Sequence, residues 1–237
     1  MDGSDTCREA KDAGSAQMRH LGATEDAASR HVSPASRPDP RSGQATNPIF
    51  VVTGPSGAGK GTLIQRLVDR LGELEVAVSA TTRAQRPGEQ DGREYWFLTE
   101  GEFVSRIEAG EFLEHVEYVS GHRYGTLGSE LDRIADEGRV CVLELELEGA
   151  LRVQEQVAGS VALFIAADVP ELERRLRARA TESSGEIGER IALARRQLEQ
   201  AYRFRYMVRN DDVGRATEAL AVLVERELQF AATMSRP

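Results

Sequence analysis

Residues 49–62 read Ile49-Phe50-Val51-Val52-Thr53-Gly54-Pro55-Ser56-Gly57-Ala58-Gly59-Lys60-Gly61-Thr62. The opening apolar run, Ile49 to Val52, predicts a short buried strand. Gly54 to Gly61 reads as a glycine-rich turn, with Thr62 next. Beyond them Leu63, Ile64, Leu67, Val68 and Leu71 fall on one helical face, and Gly72 closes that helix. A glycine-rich turn between a buried strand and an amphipathic helix is the setting of a phosphate-binding loop. Glycines let backbone N–H groups curl around a phosphate, and the helix N-terminus adds positive potential. Lys60 is then placed for the β- and γ-phosphates of a nucleoside triphosphate. The loop departs from the usual pattern at Gly61, where Ser or Thr commonly follows the lysine; Thr62 comes one position later. Two ways of holding Mg²⁺ stay open: the Thr62 hydroxyl, or the nucleotide's own phosphates and water.

The rest of the composition narrows the function. The chain has 237 residues, 40% of them apolar and 29% charged, enough for one domain with an extension or for two small domains. No apolar run approaches the ~18–20 residues needed to span a bilayer. The net charge of −9 argues against general nucleic-acid binding, which needs a basic face. Cys7 and Cys141 make neither a disulfide framework nor a zinc site, and His20, His31, His115 and His122 are scattered. The N-terminus carries Asp2, Asp5, Glu9 and Asp12 with no apolar stretch behind them, so a cytoplasmic location is expected. Lysine occurs only at Lys11 and Lys60; 28 of the 30 basic residues are arginine. An ammonium and a guanidinium are not equivalent, and a lysine kept at Lys60 points to a role that needs one.

Residues 1–47 read as a disordered extension, poor in large apolar residues and carrying the linker-like run Ser33 to Pro40. A folded domain is expected over 48–237. After the first helix, Val76–Ser79 predicts a strand, 83–93 a polar loop and Tyr95–Leu98 a strand. Thr99 with Glu102 forms a capping box that opens a helix closed by Gly110. Residues 112–119 predict a strand, Leu127, Leu131 and Ile134 a helix, and Val140–Leu147 and Val161–Ala166 two more strands. A helix with Pro170 near its start is broken over Thr181–Gly185. A long helix follows through Ile187, Ile191, Ala194, Leu198 and Ala201, and a last one through Leu220, Leu223, Val224 and Leu228. Strands alternating with helices predict an α/β fold around a mainly parallel sheet flanked by helices.

The loop alone implies only a nucleoside triphosphate. The segment Ser79-Ala80-Thr81-Thr82-Arg83-Ala84-Gln85-Arg86-Pro87-Gly88-Glu89 adds more, with Asp91-Gly92-Arg93-Glu94-Tyr95-Trp96-Phe97, Phe112-Leu113-Glu114-His115 and Gly121-His122-Arg123-Tyr124-Gly125-Thr126. With these the chain closely resembles the guanylate kinases, P-loop enzymes that phosphorylate GMP, over roughly residues 48–230. The resemblance implies a P-loop kinase with a GMP-binding subdomain at about 80–128 and a short lid at about 177–190. It implies ATP, with Mg²⁺, and GMP as the bound partners.

The resemblance also assigns roles. Gly54, Pro55, Ser56, Gly57, Ala58, Gly59, Lys60, Gly61 and Thr62 would hold ATP phosphates. Arg83, Arg86, Tyr95 and Tyr124 match the residues that grip the GMP phosphate, with Ser79 adding a hydroxyl; convergent guanidinium and phenol donors suit a dianion. Glu114 matches the guanine reader, because a carboxylate complements the N1–H and 2-amino donors of guanine. Thr126 matches the hydroxyl on the remaining polar atoms of the base. Glu144 and Glu146 fall where the family places two acidic residues near the phosphates; the alternation from Leu143 to Glu148 is also what a strand with one wet face produces. Arg175, Arg179 and Arg190 match lid arginines that neutralise the transferred charge. Asn210 matches a stretch near the adenine of ATP. Three other readings remain: a different nucleoside monophosphate kinase, a sugar-phosphate kinase, and a catalytically inert peptide-binding module, which would have no need of an intact Lys60 loop.

Overall fold

The computed structural model describes residues 29–30, 48–118, 121–178 and 184–234. Its strands in chain order are β1 Ser29–Arg30, β2 Ile49–Thr53, β3 Leu74–Val76, β4 Ala80–Thr81, β5 Trp96–Phe97, β6 Phe112–Tyr118, β7 Arg123–Leu127, β8 Val140–Glu144, β9 Ser160–Ala166 and β10 Tyr206–Arg209. Its helices are α1 Lys60–Arg70, α2 Glu100–Glu108, α3 Gly128–Asp136, α4 Leu147–Gln156, α5 Val169–Ala178, α6 Ser184–Glu199 and α7 Val213–Met234.

Five strands form a wholly parallel sheet in the order β10-β9-β2-β8-β3. Every residue of β2 is buried, which is why its sequence is apolar without alternation. Successive side chains point to opposite faces. Phe50 and Val52 pack with Leu63 and Leu67 of α1 and Leu220 and Val224 of α7. Ile49 and Val51 pack on the other face with Ile134 of α3 and Ala150 and Val153 of α4. The central strand therefore ends, at its carboxyl end, in the middle of a rigid layer, and the glycine-rich turn begins there.

A second sheet has the order β1-β6-β7-β4-β5. Its main pairing is the antiparallel β6–β7 hairpin, with Glu114 opposite Thr126 and Val116 opposite Tyr124. Under it Phe103 of α2 stacks on Phe112 at 4.3 Å, in a small core with Ala80 and Leu127. The expected capping box at Thr99 and Glu102 is present with both of its reciprocal bonds.

Several expectations change. The strand over Val140–Leu147 stops at Glu144, and Leu147–Gln156 is a helix. The alternating Leu-Glu run hides a switch of period: from Leu147 the buried residues are Leu147, Gly149, Ala150, Leu151 and Val153, no longer every second one, and Leu147 with Ala150 and Leu151 has helical spacing. The strand over Val76–Ser79 ends at Val76, and residues 77–79 carry the chain to the second sheet. Strands β7 and β10 were not expected. Of the extension 1–47, only Ser29 and Arg30 are described; they pair antiparallel with Tyr118 and Glu117 of β6. Of the lid range 177–190, residues 179–183 lie outside the described residues, Arg179 among them. Among the described residues, no helix is long and apolar enough to cross a membrane.

Candidate active site

The phosphate loop is shaped by close approach. Gly54 leaves β2 with φ +143, and a Cβ there would stand 2.2 Å from the Ile165 carbonyl oxygen of β9. Gly59 precedes α1 in the left-handed region, φ +87, where a Cβ would meet Asn210 Nδ2 at 2.6 Å. Lys60 opens α1, and its Nζ donates to the Gly54 carbonyl at 2.7 Å, so the ammonium spans the loop from within. Thr62 lies exposed in the first turn of α1, beside the exposed Gly61.

Three side chains converge on this loop from the C-terminal half. Asn210 is buried, and its Nδ2 donates to the Ala58 carbonyl at 2.7 Å. Asn210 is thus a brace behind the loop. Arg175 on α5 is oriented by Glu171, which accepts from its Nε at 2.6 Å. Its guanidinium then reaches the carbonyls of Gly57 and Ala58 and of Asn210. Arg190 on α6 donates from Nη2 to Ser56 Oγ at 2.7 Å. Arg175 and Arg190 therefore both stand at the loop.

A cavity of about 590 Å³ begins at Lys60 and Glu144 and runs past Ser79, Tyr95 and Tyr124 to Glu114. Glu144 ends β8 and lies 3.6 Å from where a Gly61 Cβ would be. Its crowded setting raises its carboxyl above the ordinary range, Lys60 opposing that rise and Glu146 adding to it. Tyr95 meets Tyr124 edge to face at 5.8 Å, and Tyr118 meets Tyr124 at 5.1 Å. Burial pushes the hydroxyls of Tyr95 and Tyr118 upward, so both stay neutral donors near pH 7.

Arg83 lies 5.3 Å over the Tyr95 ring, and its fork is paired with Glu89. The Glu89 bond above all raises the guanidinium's pKa further above its already high ordinary value. Arg86 is exposed; its backbone N–H donates to Glu89 Oε2 at 2.8 Å. Arg86's side chain is thus not brought into the cavity lining, while Arg83 sits against its Tyr95 wall.

At the far end Glu114 is 6% exposed and Thr126 1%. Thr126 Oγ1 donates to Glu114 Oε1 at 3.0 Å, a contact set by their places opposite each other in the hairpin. Burial pushes the Glu114 carboxyl up to about 7, against the Thr126 bond and the charge of Arg152. Thr126 thus satisfies part of the buried carboxyl, and the rest faces the cavity.

A family model described as guanylate kinase matches residues 46–227. The chain belongs to the guanylate kinase family. It is 42% identical over 179 residues to the guanylate kinase of Rubrobacter xylanophilus, covering 75% of this chain and 93% of that one. It is 38% identical over 180 residues to the guanylate kinase of Thermotoga maritima, covering 76% and 86%. The crystal structure of the Anaplasma phagocytophilum guanylate kinase superposes with a TM-score of 0.61 at 27% identity, covering 78% of this chain and 88% of that one.

Within this guanylate kinase family member, sequence reasoning missed the bracing role of Asn210 and the pairing role of Glu89. Glu89 stood in the quoted motif, three residues after Arg86, and that spacing was the signal. Tyr118, which lines the cavity beside Tyr124, had no signal beyond an aromatic in a predicted strand.

Proposed function

We propose that the protein transfers the γ-phosphoryl group of ATP to GMP, giving ADP and GDP, with the site residues in the following roles. The observation that carries those roles is the single cavity joining Lys60 to the Glu114–Thr126 pair. Lys60 and the amides of Gly54–Thr62 hold the donor phosphates. Tyr95, Tyr124, Ser79 and Arg83 bind the acceptor phosphate, and Arg86 swings in from the exposed loop. Glu114, with Thr126 behind it, reads guanine; adenine presents an acceptor at N1 and leaves the buried carboxylate unpaired, a mismatch worth up to ~10⁴-fold. The acceptor phosphate attacks in line, no covalent enzyme intermediate forms, and Arg175, Arg179 and Arg190 neutralise the spreading charge. Asn210 acts by bracing the loop.

Mg²⁺ accompanies ATP in this reading. Among the described residues no group of three or more His, Cys, Asp and Glu could hold a metal by itself. Thr62 and Glu144, flanking Gly61, fit an ion held mainly by phosphates and water. Bound there, the ion would offset phosphate charge. Both substrates are soluble nucleotides, which sets the expected location as cytoplasmic.

The test is ADP release from Mg-ATP with GMP, AMP, UMP, CMP or dTMP supplied in turn, beside a control without acceptor. Release with GMP alone is expected. Release with another base would overturn the assignment of Glu114 and Thr126.

A further inference from the structure

Gly149 lies in the first turn of α4, directly behind the Glu114 carboxylate. A Cβ on Gly149 would stand 3.0 Å from Glu114 Oε2, 3.4 Å from Cδ and 3.5 Å from Cγ. The first contact is tighter than carbon and oxygen normally tolerate, so the carboxylate would have to give by a few tenths of an ångström. Its other oxygen is tied to Thr126 and its backbone pairs in the β6–β7 hairpin, so the side chain must move within the space that two cavities leave beside it, the one that reaches Lys60 and a second of about 340 Å³ that Gly149 itself lines.

Backbone conformation supplies no reason for glycine at 149. The residue is helical and has no left-handed φ, unlike Gly54 or Gly59. Glycine within a helix is less stable than alanine, so a position chosen for stability alone would carry a side chain. The neighbouring Ala150 has one and packs into the core. What glycine provides at 149 is room for Glu114.

We infer that Gly149 is a specificity-determining positioning residue: its missing side chain sets how far the Glu114 carboxylate projects toward the acceptor base. Two carboxylate oxygens meeting two adjacent N–H donors require donor–acceptor distances near 2.9 Å at both. Advancing the carboxylate by a few tenths of an ångström crowds one bond and tilts the other. The inference rests on the reading of Glu114 as the guanine reader.

The test uses the full chain and four proteins: parent, Gly149→Ala, Glu114→Ala and the double variant. GMP and ATP affinities are measured separately by calorimetry, with thermal melting alongside. Gly149→Ala is expected to weaken GMP ~5–10-fold, by analogy with the cost of small misplacements, and to leave ATP unchanged. Its melting temperature should not fall. In the Glu114→Ala background the second substitution should add nothing, because no carboxylate remains to be displaced. GMP affinity within twofold of the parent in Gly149→Ala overturns the inference and leaves the Glu114 reading intact. So does an equal loss in both backgrounds. Unchanged GMP affinity in Glu114→Ala overturns the reading itself and the inference with it. If Gly149→Ala alone does not fold, the double variant decides. Folding there shows that the collision is with Glu114; failure there places it elsewhere and overturns the inference.

Discussion

Arg83 and Glu89 hold each other through two parallel bonds, Nη1 to Oε2 at 3.0 Å and Nη2 to Oε1 at 2.8 Å. Arg83 Nη1 also donates to the Ala84 carbonyl at 2.7 Å. A guanidinium has five N–H donors; Glu89 and Ala84 take three, Tyr124 also engages the group, and part of the fork is left for an incoming phosphate. Glu89 can therefore fix the fork without blocking it. It also takes the Arg86 backbone N–H, so one carboxylate orders the segment bearing both arginines. Glu89→Ala is expected to raise the KM for GMP ~10-fold while leaving the KM for ATP unchanged. Steady-state kinetics with each nucleotide varied in turn checks this. A lowered KM for GMP would show instead that Glu89 competes with the phosphate.

Lys60 reaches Gly54 from inside its own loop, a geometry suited to a narrow ammonium. Lys60→Met should lower kcat ~10²–10³-fold, the usual cost of removing one charged stabiliser of a developing anion. Lys60→Arg should recover little of that loss, because a planar fork does not fit where a point charge sits. Melting temperatures near the parent's would assign both losses to chemistry.

The contrast between loop and helix shows what was legible. The phosphate loop was readable because strand, glycines and lysine are contiguous, and local spacing carries the whole signal. The Glu114–Thr126 pair was reachable only by resemblance, since the contact depends on hairpin register across 12 positions. Helix α4 was misread because its first turn repeats the alternation of β8; only the burial of Ala150, Leu151 and Val153 reveals the new period. The contact of Asn210 with the Ala58 carbonyl was not legible because sequence does not show which residues lie behind the loop. Strand β10, with the burial sequence Tyr206 intermediate, Met207 exposed, Val208 buried and Arg209 exposed, is an edge strand whose polar content masked it.

Glu114 links pH to both binding and stability. Its carboxyl titrates at about 7 when folded, against an ordinary value of 4.5. The raised value favours the protonated form in the fold. The cost of ionisation is thus absent below pH 4.5, grows between 4.5 and 7, and is complete above 7, at about 3 kcal/mol. Glu114→Gln should accordingly raise the melting temperature at pH 8 and change it little at pH 4. On the proposed role of Glu114 as guanine reader, GMP takes the ionised form, so the parent's affinity for GMP should fall below pH 7, tending toward tenfold per unit, while that for ATP does not follow. Calorimetric titrations between pH 5 and 8 check both slopes.

Gly54 and Gly72 separate a glycine required by space from one that merely ends a helix. A Cβ at Gly54 would lie 2.2 Å from a backbone oxygen of β9 and would also force φ +143 on an L-residue; at Gly72 nothing lies within 4 Å. Gly54→Ala should cost more than ~3 kcal/mol, and Gly72→Ala should fall within ~0.5 kcal/mol of neutral. Urea denaturation of the two variants checks the difference, and similar losses would refute the packing argument.

The joint between the two sheets is held by a buried carboxylate. Glu130 opens α3 just after β7 and is 3% exposed. Its Oε2 accepts from the Val78 N–H at 2.9 Å, in the connector from β3 to β4. Its Oε1 accepts from Trp96 Nε1 of β5 at 3.1 Å. Arg133, one turn on, bonds both oxygens and continues to Glu75 of β3 at 2.6 Å. Truncation would leave the Val78 and Trp96 N–H groups without this acceptor, while Arg133 keeps Glu75 and Glu137. Glu130→Ala should therefore cost ~1–3 kcal/mol, whereas Glu130→Gln, which keeps one oxygen acceptor, should cost less. The discriminating measurement is hydrogen exchange at Val78. Loss of protection there, beyond the global change, means that the carboxylate pins the connector. Protection that follows global stability alone would mean that the connector is held by its neighbours in the sheet, and that Glu130 serves only to balance Arg133.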